Sequence, residues 1–127
     1  SNKLLDDLDV KDAKKRTQIL FIANGLPAEI SRLVADEAYF NAQSNLMRDA
    51  RDLLQASQYR KLIIANKYKE DRALALQLLS DCMKILKTSI IEKPDILTVK
   101  RIDAVLTAYQ QIESNGNIRL CIARMII

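Results

Sequence analysis

The side chains that could do chemistry in this chain are carboxylates, tyrosines, basic pairs and two cysteines, because histidine is absent from all 127 residues. Without histidine, the chain lacks the commonest general base and the commonest ligand of transition metals. A zinc site would need Cys82 and Cys121 together with carboxylates, and no such group has the spacing of metal ligands. The two glycines, Gly25 and Gly116, form no phosphate-binding loop. The sequence therefore predicts that this chain is not an enzyme and holds no metal or cofactor of its own.

The charged pairs and the tyrosines have structural interpretations. Acidic pairs stand at expected helix starts or in linkers, where carboxylates cap helices and complement the helix dipole. These pairs are Asp6-Asp7, Asp36-Glu37 and Glu70-Asp71. Basic clusters are typical of solvated helix faces, and they lie at Lys14-Lys15-Arg16, Arg60-Lys61 and Lys100-Arg101. We expect each tyrosine to be half-buried with its hydroxyl at the surface; the four are Tyr39, Tyr59, Tyr68 and Tyr109.

The net charge of +4 and the pI near 9.1 indicate an ordinary basic surface, because acidic and basic residues alternate along most of the chain. A nucleic-acid surface stays open as an alternative. The two cysteines are expected to be small buried apolar side chains in a reducing compartment. No apolar run is long enough to cross a bilayer. The sequence therefore predicts a cytoplasmic protein with no membrane contact.

The stretch from Arg72 to Ile91 is the element around which the other segments are expected to pack. It contains no Gly or Pro, and its apolar side chains cover about 200° of a helical wheel. The polar side chains of this stretch form one strip: Gln77, Ser80, Asp81, Lys84, Lys87 and Thr88. A helix this apolar needs cover from more than one side.

The whole chain holds two Gly and two Pro, which is too little turn chemistry for a sheet. The pattern predicts an all-α helical bundle of about six or seven helices. The expected helices cover about 10–23, 27–35, 37–57, 59–68, 72–91, 98–113 and 118–125. Caps are expected at Asp9, Asp36, Asp71 and Asn117.

Two stretches resemble the clamp-loader subunits of bacterial DNA polymerase III. The stretch 23–30, ANGLPAEI, resembles the end of the small helical lid of AAA+ subunits, with its Gly-x-Pro turn. The stretch 115–123, NGNIRLCIA, resembles the Asn-x-Asn-x-Arg-Leu ending of delta-prime and gamma/tau-type subunits. The segment between them is similar to the collar domain of those proteins. The motif residues are Gly25, Pro27, Asn115, Asn117, Arg119 and Leu120.

This resemblance implies a lid-like segment at 1–36 and an all-α collar, an oligomerisation domain, at 37–127. Its implied partners are the other clamp-loader subunits, and the sliding clamp and primed DNA are reached through the complex. ATP and Mg²⁺ belong to the parent complex, and Walker A, Walker B and arginine-finger motifs have no counterpart in these 127 residues. The family's nucleotide-sensing arginine follows the Gly-x-Pro turn, and Arg32 is displaced from that place. The departure favours a delta-prime-like, ATPase-silent subunit.

The terminal motif also has a physical interpretation of its own. Asn115 and Asn117 can bond their own backbone at a helix stop and a helix start, and the glycine between them allows the turn. We expect Leu120 and Ile122 to anchor the last helix, and Arg119 to bond carbonyls at a neighbouring helix end. Fold maintenance is favoured over direct contact with a partner. A stand-alone nucleic-acid-binding domain and a helical adaptor unrelated to replication are the alternatives.

Overall fold

The computed structural model describes residues 12–126, and in this range the chain forms seven α-helices and no strand. The helices are α1 (Ala13–Ala23), α2 (Pro27–Ala35), α3 (Glu37–Gln55), α4 (Gln58–Lys67), α5 (Arg72–Glu92), α6 (Ile96–Glu113) and α7 (Ile118–Ile126). The prediction of an all-α bundle is confirmed. The acidic pair Asp6-Asp7, the expected cap Asp9 and the expected first helical residue Val10 lie outside the described residues.

Short polar side chains start most of the helices. The caps Asp36 and Asp71 are the predicted ones, whereas α1 begins at Ala13 with Asp12 as its cap, which is later than the predicted start. The Asp12 carboxylate accepts the N–H groups of Lys14 and Lys15 at the start of α1, at 2.9 and 3.3 Å. Asp36 accepts the N–H of the third residue of α3, and Asp71 that of the third residue of α5, each at 3.0 Å. Each cap satisfies a donor that has no partner within its own helix.

Helix α6 begins two residues earlier than predicted, at Ile96 rather than Thr98. The Asp95 carboxylate accepts the N–H of Leu97 at 3.1 Å and so caps the helix at that point. Pro94 lies in the loop directly before Asp95, and Asp95 is the residue that caps the helix. The predicted break between α5 and α6 was therefore right, and only the predicted start of α6 was too late.

The chain divides into two compact units between Asn45 and Leu46, a point within α3. In the first unit, α1 and α2 pack against each other and bury Ile19, Ile22, Ala23, Ile30 and Leu33. In the second unit, α6 packs on α5, α7 packs on α6, and α4 packs on α7. The predicted lid and collar segments, 1–36 and 37–127, stay a prediction.

Helix α5 is the centre of the second unit's core. Its buried residues meet buried residues from α3, α4, α6 and α7, so that the predicted cover from more than one side is confirmed. The buried α5 side chains are Ala75, Leu78, Leu79, Asp81, Cys82 and Leu86. The predicted polar strip was wrong at Asp81, which lies in the core, and the predicted apolar arc was wrong at Leu74, which is exposed.

Candidate functional site

The turn between α6 and α7 holds the residues of the terminal motif, and hydrogen bonds fix its backbone. Asn115 adopts the left-handed conformation, with φ 70°. The N–H of Asn115 donates to the carbonyl of Ile112 at 3.1 Å, and the N–H of Gly116 donates to that of Gln111 at 2.6 Å. This pair of bonds is a Schellman motif that closes the end of α6. The asparagine, and not the glycine, takes the left-handed position.

Gly116 serves the turn through its small size. A Cβ at this position would lie 2.5 Å from the carbonyl oxygen of Gln111 and 2.9 Å from the sulfur of Cys121. Its φ is not among the positive values that favour glycine, in contrast to Gly25. The prediction that the glycine allows the turn is correct in outcome, but the reason is the close approach of two backbone segments.

Asn117 starts the last helix as predicted, because its side-chain oxygen accepts the N–H of Leu120 at 3.0 Å. The predicted anchor Leu120 was wrong, since 47% of the residue is exposed. The other predicted anchor, Ile122, is buried as expected, together with Ile118 and Cys121. The three buried residues lie on one side of α7, and Leu120 falls on the opposite side.

The arginine that bonds the carbonyls of this turn is Arg72, at the first position of α5. Its Nη1 donates to the carbonyl of Ile112 and, at 3.2 Å, to that of Gly116. The Ile112 carbonyl lies in the last turn of α6, where the helix dipole favours a cation, and the Gly116 carbonyl lies in the turn that follows. The predicted donor, Arg119, is exposed on α7. The sequence carries no signal for the actual pairing, because Arg72 stands forty residues before Ile112.

The Gly-x-Pro turn of the first unit is built locally. Asn24 and Gly25 both have positive φ, at 51° and 79°, and end α1 as predicted. Pro27 is the first residue of α2, where its missing N–H costs no hydrogen bond. Leu26 precedes it as an N-cap without a side-chain bond.

Arg32 lies over the ring of Tyr39, 3.8 Å from its centroid. The Tyr39 hydroxyl donates to the Glu29 carboxylate, with oxygen distances of 2.8 and 3.0 Å. Burial, followed by the hydrogen bond to Glu29, raises the pKa of Tyr39. The three side chains thus bind one another, and the described geometry gives Arg32 a packing role in the first unit.

A buried carboxylate in the second unit joins α3 to the end of α4. Asp49, only 3% exposed, accepts the Tyr68 hydroxyl at 2.6 Å and the Lys67 ammonium at 2.7 Å. Arg60 reaches Asp49 at 3.7 Å and Asp52 at 3.5 Å. Burial, followed by the bond to Asp49, raises the pKa of Tyr68. Charge-assisted bonds of this kind hold the helices together. The Tyr68 hydroxyl is buried, which contradicts the prediction that it lies at the surface.

Tyr59 departs from the prediction made for the tyrosines, whereas the two cysteines agree with theirs. Tyr59 is 76% exposed and does not pack as a half-buried residue. Cys82 and Cys121 are buried, free thiols, as predicted. The Cys82 sulfur donates to the Ala50 carbonyl at 3.7 Å, and burial raises the pKa of this thiol to about 12. A thiol with that pKa stays protonated and is a poor nucleophile.

Asp81 is the second buried carboxylate. The Lys84 ammonium lies 3.8 Å from one of its oxygens. Burial raises the pKa of Asp81 from its ordinary value, and Lys84 opposes the rise. The pair occupies neighbouring turns of α5, so that one helix supplies both the buried charge and its partner.

Within residues 12–126, no group of three or more Cys, Asp or Glu side chains is placed to hold a metal ion. In the same part of the chain, no helix combines the length and apolar character needed to cross a membrane. The motif residues Asn115, Asn117, Arg119 and Leu120 share one turn and the helix after it, and Gly25 and Pro27 belong to the other unit.

Sequence interpretation missed one feature of α4. Tyr59, Leu62 and Ile63 are exposed, whereas Ile64 and Ala65 are buried. At 100° per residue these two groups lie on opposite sides of α4. A helical wheel of this segment would have shown two apolar faces.

No protein-family model, curated protein or solved structure matches this chain. The resemblance to clamp-loader subunits therefore stays a prediction drawn from the two motifs.

Proposed function

We propose that this chain is an assembly module, the oligomerisation collar of a delta-prime-like clamp-loader subunit of DNA polymerase III. The motif residues Asn115 and Asn117 support the proposal, since they build the turn that starts the last helix. The all-α architecture fits the collar of that family. The chain's contribution to replication would be to join protein chains, and catalysis is assigned to other parts of the complex.

The observation that carries the proposal is the amount of apolar surface that the second unit leaves in water. Ile91, at 81% exposure, is the most exposed of these large apolar side chains. The others in this unit are Tyr59, Leu62, Ile63, Leu74, Ile96, Leu97, Val99, Leu106 and Leu120. A helical unit with a complete core of its own gains nothing from this exposure, whereas an interface buries it.

The proposed partners are the other clamp-loader subunits, and the sliding clamp and primed DNA are contacted through the assembled complex. No nucleotide or metal is assigned to these residues. The proposed location is the cytoplasm, in keeping with two buried, free cysteines.

Co-expression of this chain with the clamp-loader subunits of its own organism tests the proposal. Size-exclusion chromatography with light scattering should show a stable complex that contains this chain. Two surface variants sharpen the test: Lys in place of Ile91, Ile96 and Leu97, and Lys in place of Tyr59, Leu62 and Ile63. We expect at least one of them to lose the complex, and Gln77→Lys, at an exposed polar position, to retain it.

The proposal is overturned if the chain joins none of these subunits. It is also overturned if both triple variants assemble like the original chain. If binding to primed DNA is strong, falls steeply with added salt and needs no other subunit, the nucleic-acid-binding alternative replaces it.

A further inference from the structure

A cavity of about 260 Å³ lies between α6 and α7 in the second unit and is partly open to solvent. Its walls come from residues 103–111 of α6 and residues 121–125 of α7. Ala104 and Ala108, one turn apart on α6, both line it. Because an alanine side chain reaches no further than its Cβ, two packed helices leave space between them at such positions. We call this space the α6–α7 cavity.

The floor of the α6–α7 cavity is apolar. Ala108 and Cys121 are buried, and Met125 packs against the core of the second unit. The Cys121 side chain also lies against the turn before α7, since a Cβ on Gly116 would be 2.9 Å from its sulfur. A ligand that covers this floor with an apolar group removes apolar surface from water.

The rim of the cavity carries one charge of each sign. Asp103 comes from α6 and Arg124 from α7, and both residues are exposed. In the part of the chain that the structure describes, the ion pairs include neither of them. Thr107 and Gln111 follow Asp103 at intervals of four residues on the same side of α6 and add uncharged hydrogen-bonding groups. The rim therefore offers partners to an ammonium and to a carboxylate at the same time.

We propose that the α6–α7 cavity binds a small zwitterion with an apolar side chain, of the class of the free α-amino acids. The ammonium of the ligand lies at Asp103, its carboxylate lies at Arg124, and its side chain covers the floor. The cavity is separate from the exposed apolar side chains that support the proposed assembly role, so that either proposal can hold without the other.

Charge and volume favour this class of ligand over others. A ligand with a single charge is attracted by one side of the rim and repelled by the other, whereas a zwitterion gains at both sides. A phosphate ester would bring close to two negative charges to a rim that holds one cation and one anion. The volume lies just below the range of about 300–1,000 Å³ that is typical of drug-sized ligands, and it suits a molecule of amino-acid size.

The test titrates the full chain, labelled with ¹⁵N, with leucine at neutral pH and follows the amide signals by NMR. Saturable shifts should appear in residues 103–111 and 121–125, with a Kd of about 1 mM. Three analogues each remove one feature: N-acetyl-leucine lacks the ammonium, leucinamide lacks the carboxylate, and glycine lacks the apolar side chain. Each should bind at least about fivefold more weakly than leucine, because each loses one contact.

Variants connect each charge of the ligand with one residue. Asp103→Asn should weaken leucine by about tenfold and remove its advantage over N-acetyl-leucine, and Arg124→Gln should do the same in the comparison with leucinamide. Arg119→Gln, at an exposed arginine of α7 outside the cavity, is the matched control and should leave the Kd unchanged. Ala104→Leu fills the cavity and should abolish binding. The two charge variants lie at exposed positions, so they test the site even if Ala104→Leu fails to fold.

The proposal is overturned if leucine causes no saturable shifts, if the shifts lie outside the cavity, or if either charge-deficient analogue binds as tightly as leucine. It is also overturned if Arg119→Gln weakens leucine as much as Arg124→Gln does. If leucine does not bind and Ala104→Leu prevents assembly with clamp-loader subunits, the cavity instead takes a side chain of a partner subunit. Leucine binding by a chain that joins no clamp-loader subunit removes the proposed function and keeps this site.

Discussion

Two turns of this chain share the dipeptide Asn-Gly and use its glycine for different physical reasons. In the first unit, Asn24 and Gly25 both have positive φ, and a Cβ on Gly25 would meet no atom within 4 Å. In the second unit, Asn115 alone has positive φ, and a Cβ on Gly116 would meet a backbone oxygen at 2.5 Å. The first glycine is required by its own dihedral angle, and the second by its neighbours.

The difference extends to the surroundings of each turn. The first turn ends α1 and starts α2 by local geometry, with Pro27 as the first helical residue. The second is closed by a Schellman motif, capped by Asn117 and bonded by Arg72 from α5. A turn that holds distant segments together depends on more of the chain than one that only reverses direction. We therefore expect equal substitutions to have unequal costs in the two turns.

The largest effect is expected for Gly116→Ala. The new Cβ would collide with the Gln111 carbonyl, and backbone would have to move, at a cost of about 2–3 kcal/mol in the free energy of unfolding. Urea denaturation followed by circular dichroism measures the loss, and hydrogen exchange should place it in α6 and α7. An unfolding free energy equal to that of the original protein would show that the close approach is absent.

Arg72→Met should come next. It removes the donor to the Ile112 and Gly116 carbonyls while it keeps most of the side chain's apolar stem, and should cost about 1.5–3 kcal/mol. Arg119→Met, the matched change at an exposed arginine, should alter the free energy of unfolding by no more than about 0.5 kcal/mol. The reverse order of the two effects would restore Arg119 as the carbonyl donor that the sequence predicts.

Gly25→Ala should cost about 1 kcal/mol, from the positive φ alone. Hydrogen exchange should report faster exchange in the first unit for this variant. If Gly25→Ala is as costly as Gly116→Ala, the distinction between a local turn and a tertiary turn fails.

The smallest expected effect is the contribution of Asp81 to the pH dependence of the free energy of unfolding. Burial raises the pKa of Asp81 above its ordinary value of 3.8, so the folded state disfavours the charged form. This cost is present above the raised pKa and disappears as the pH falls below the ordinary value. Asp81→Asn should therefore stabilise the protein near neutral pH and have no such effect at about pH 3. Destabilisation at neutral pH would instead assign Asp81 and Lys84 a stabilising ion pair.

Local signals in the sequence predicted what depends on neighbours along the chain. The caps at Asp36, Asp71 and Asn117, the stop at Asn24-Gly25 and the start at Pro27 were all predicted, because each involves residues within four positions of one another. The cap at Asp95 could have been found by the same rule.

Features that depend on distant residues were missed or misplaced. Tyr68 is buried because Asp49, nineteen residues away, accepts its hydroxyl. Leu120 is exposed and Arg72 is engaged because of how α7 and α5 lie against α6. For the candidate site, the sequence located the turn at 115–117 and gave no sign that Arg72 bonds its carbonyls.

The sequence by itself determined that this protein is helical, where most of its helices begin and end, and that its cysteines are buried. Those properties follow from apolar spacing, caps and the scarcity of Gly and Pro, all of which act over a few residues. Only the tertiary structure decided which apolar side chains remain in water and which carboxylates lie in the core. Each helix of the second unit has more apolar surface than one neighbour can cover, and the packing of α4, α5, α6 and α7 selects the part that is buried.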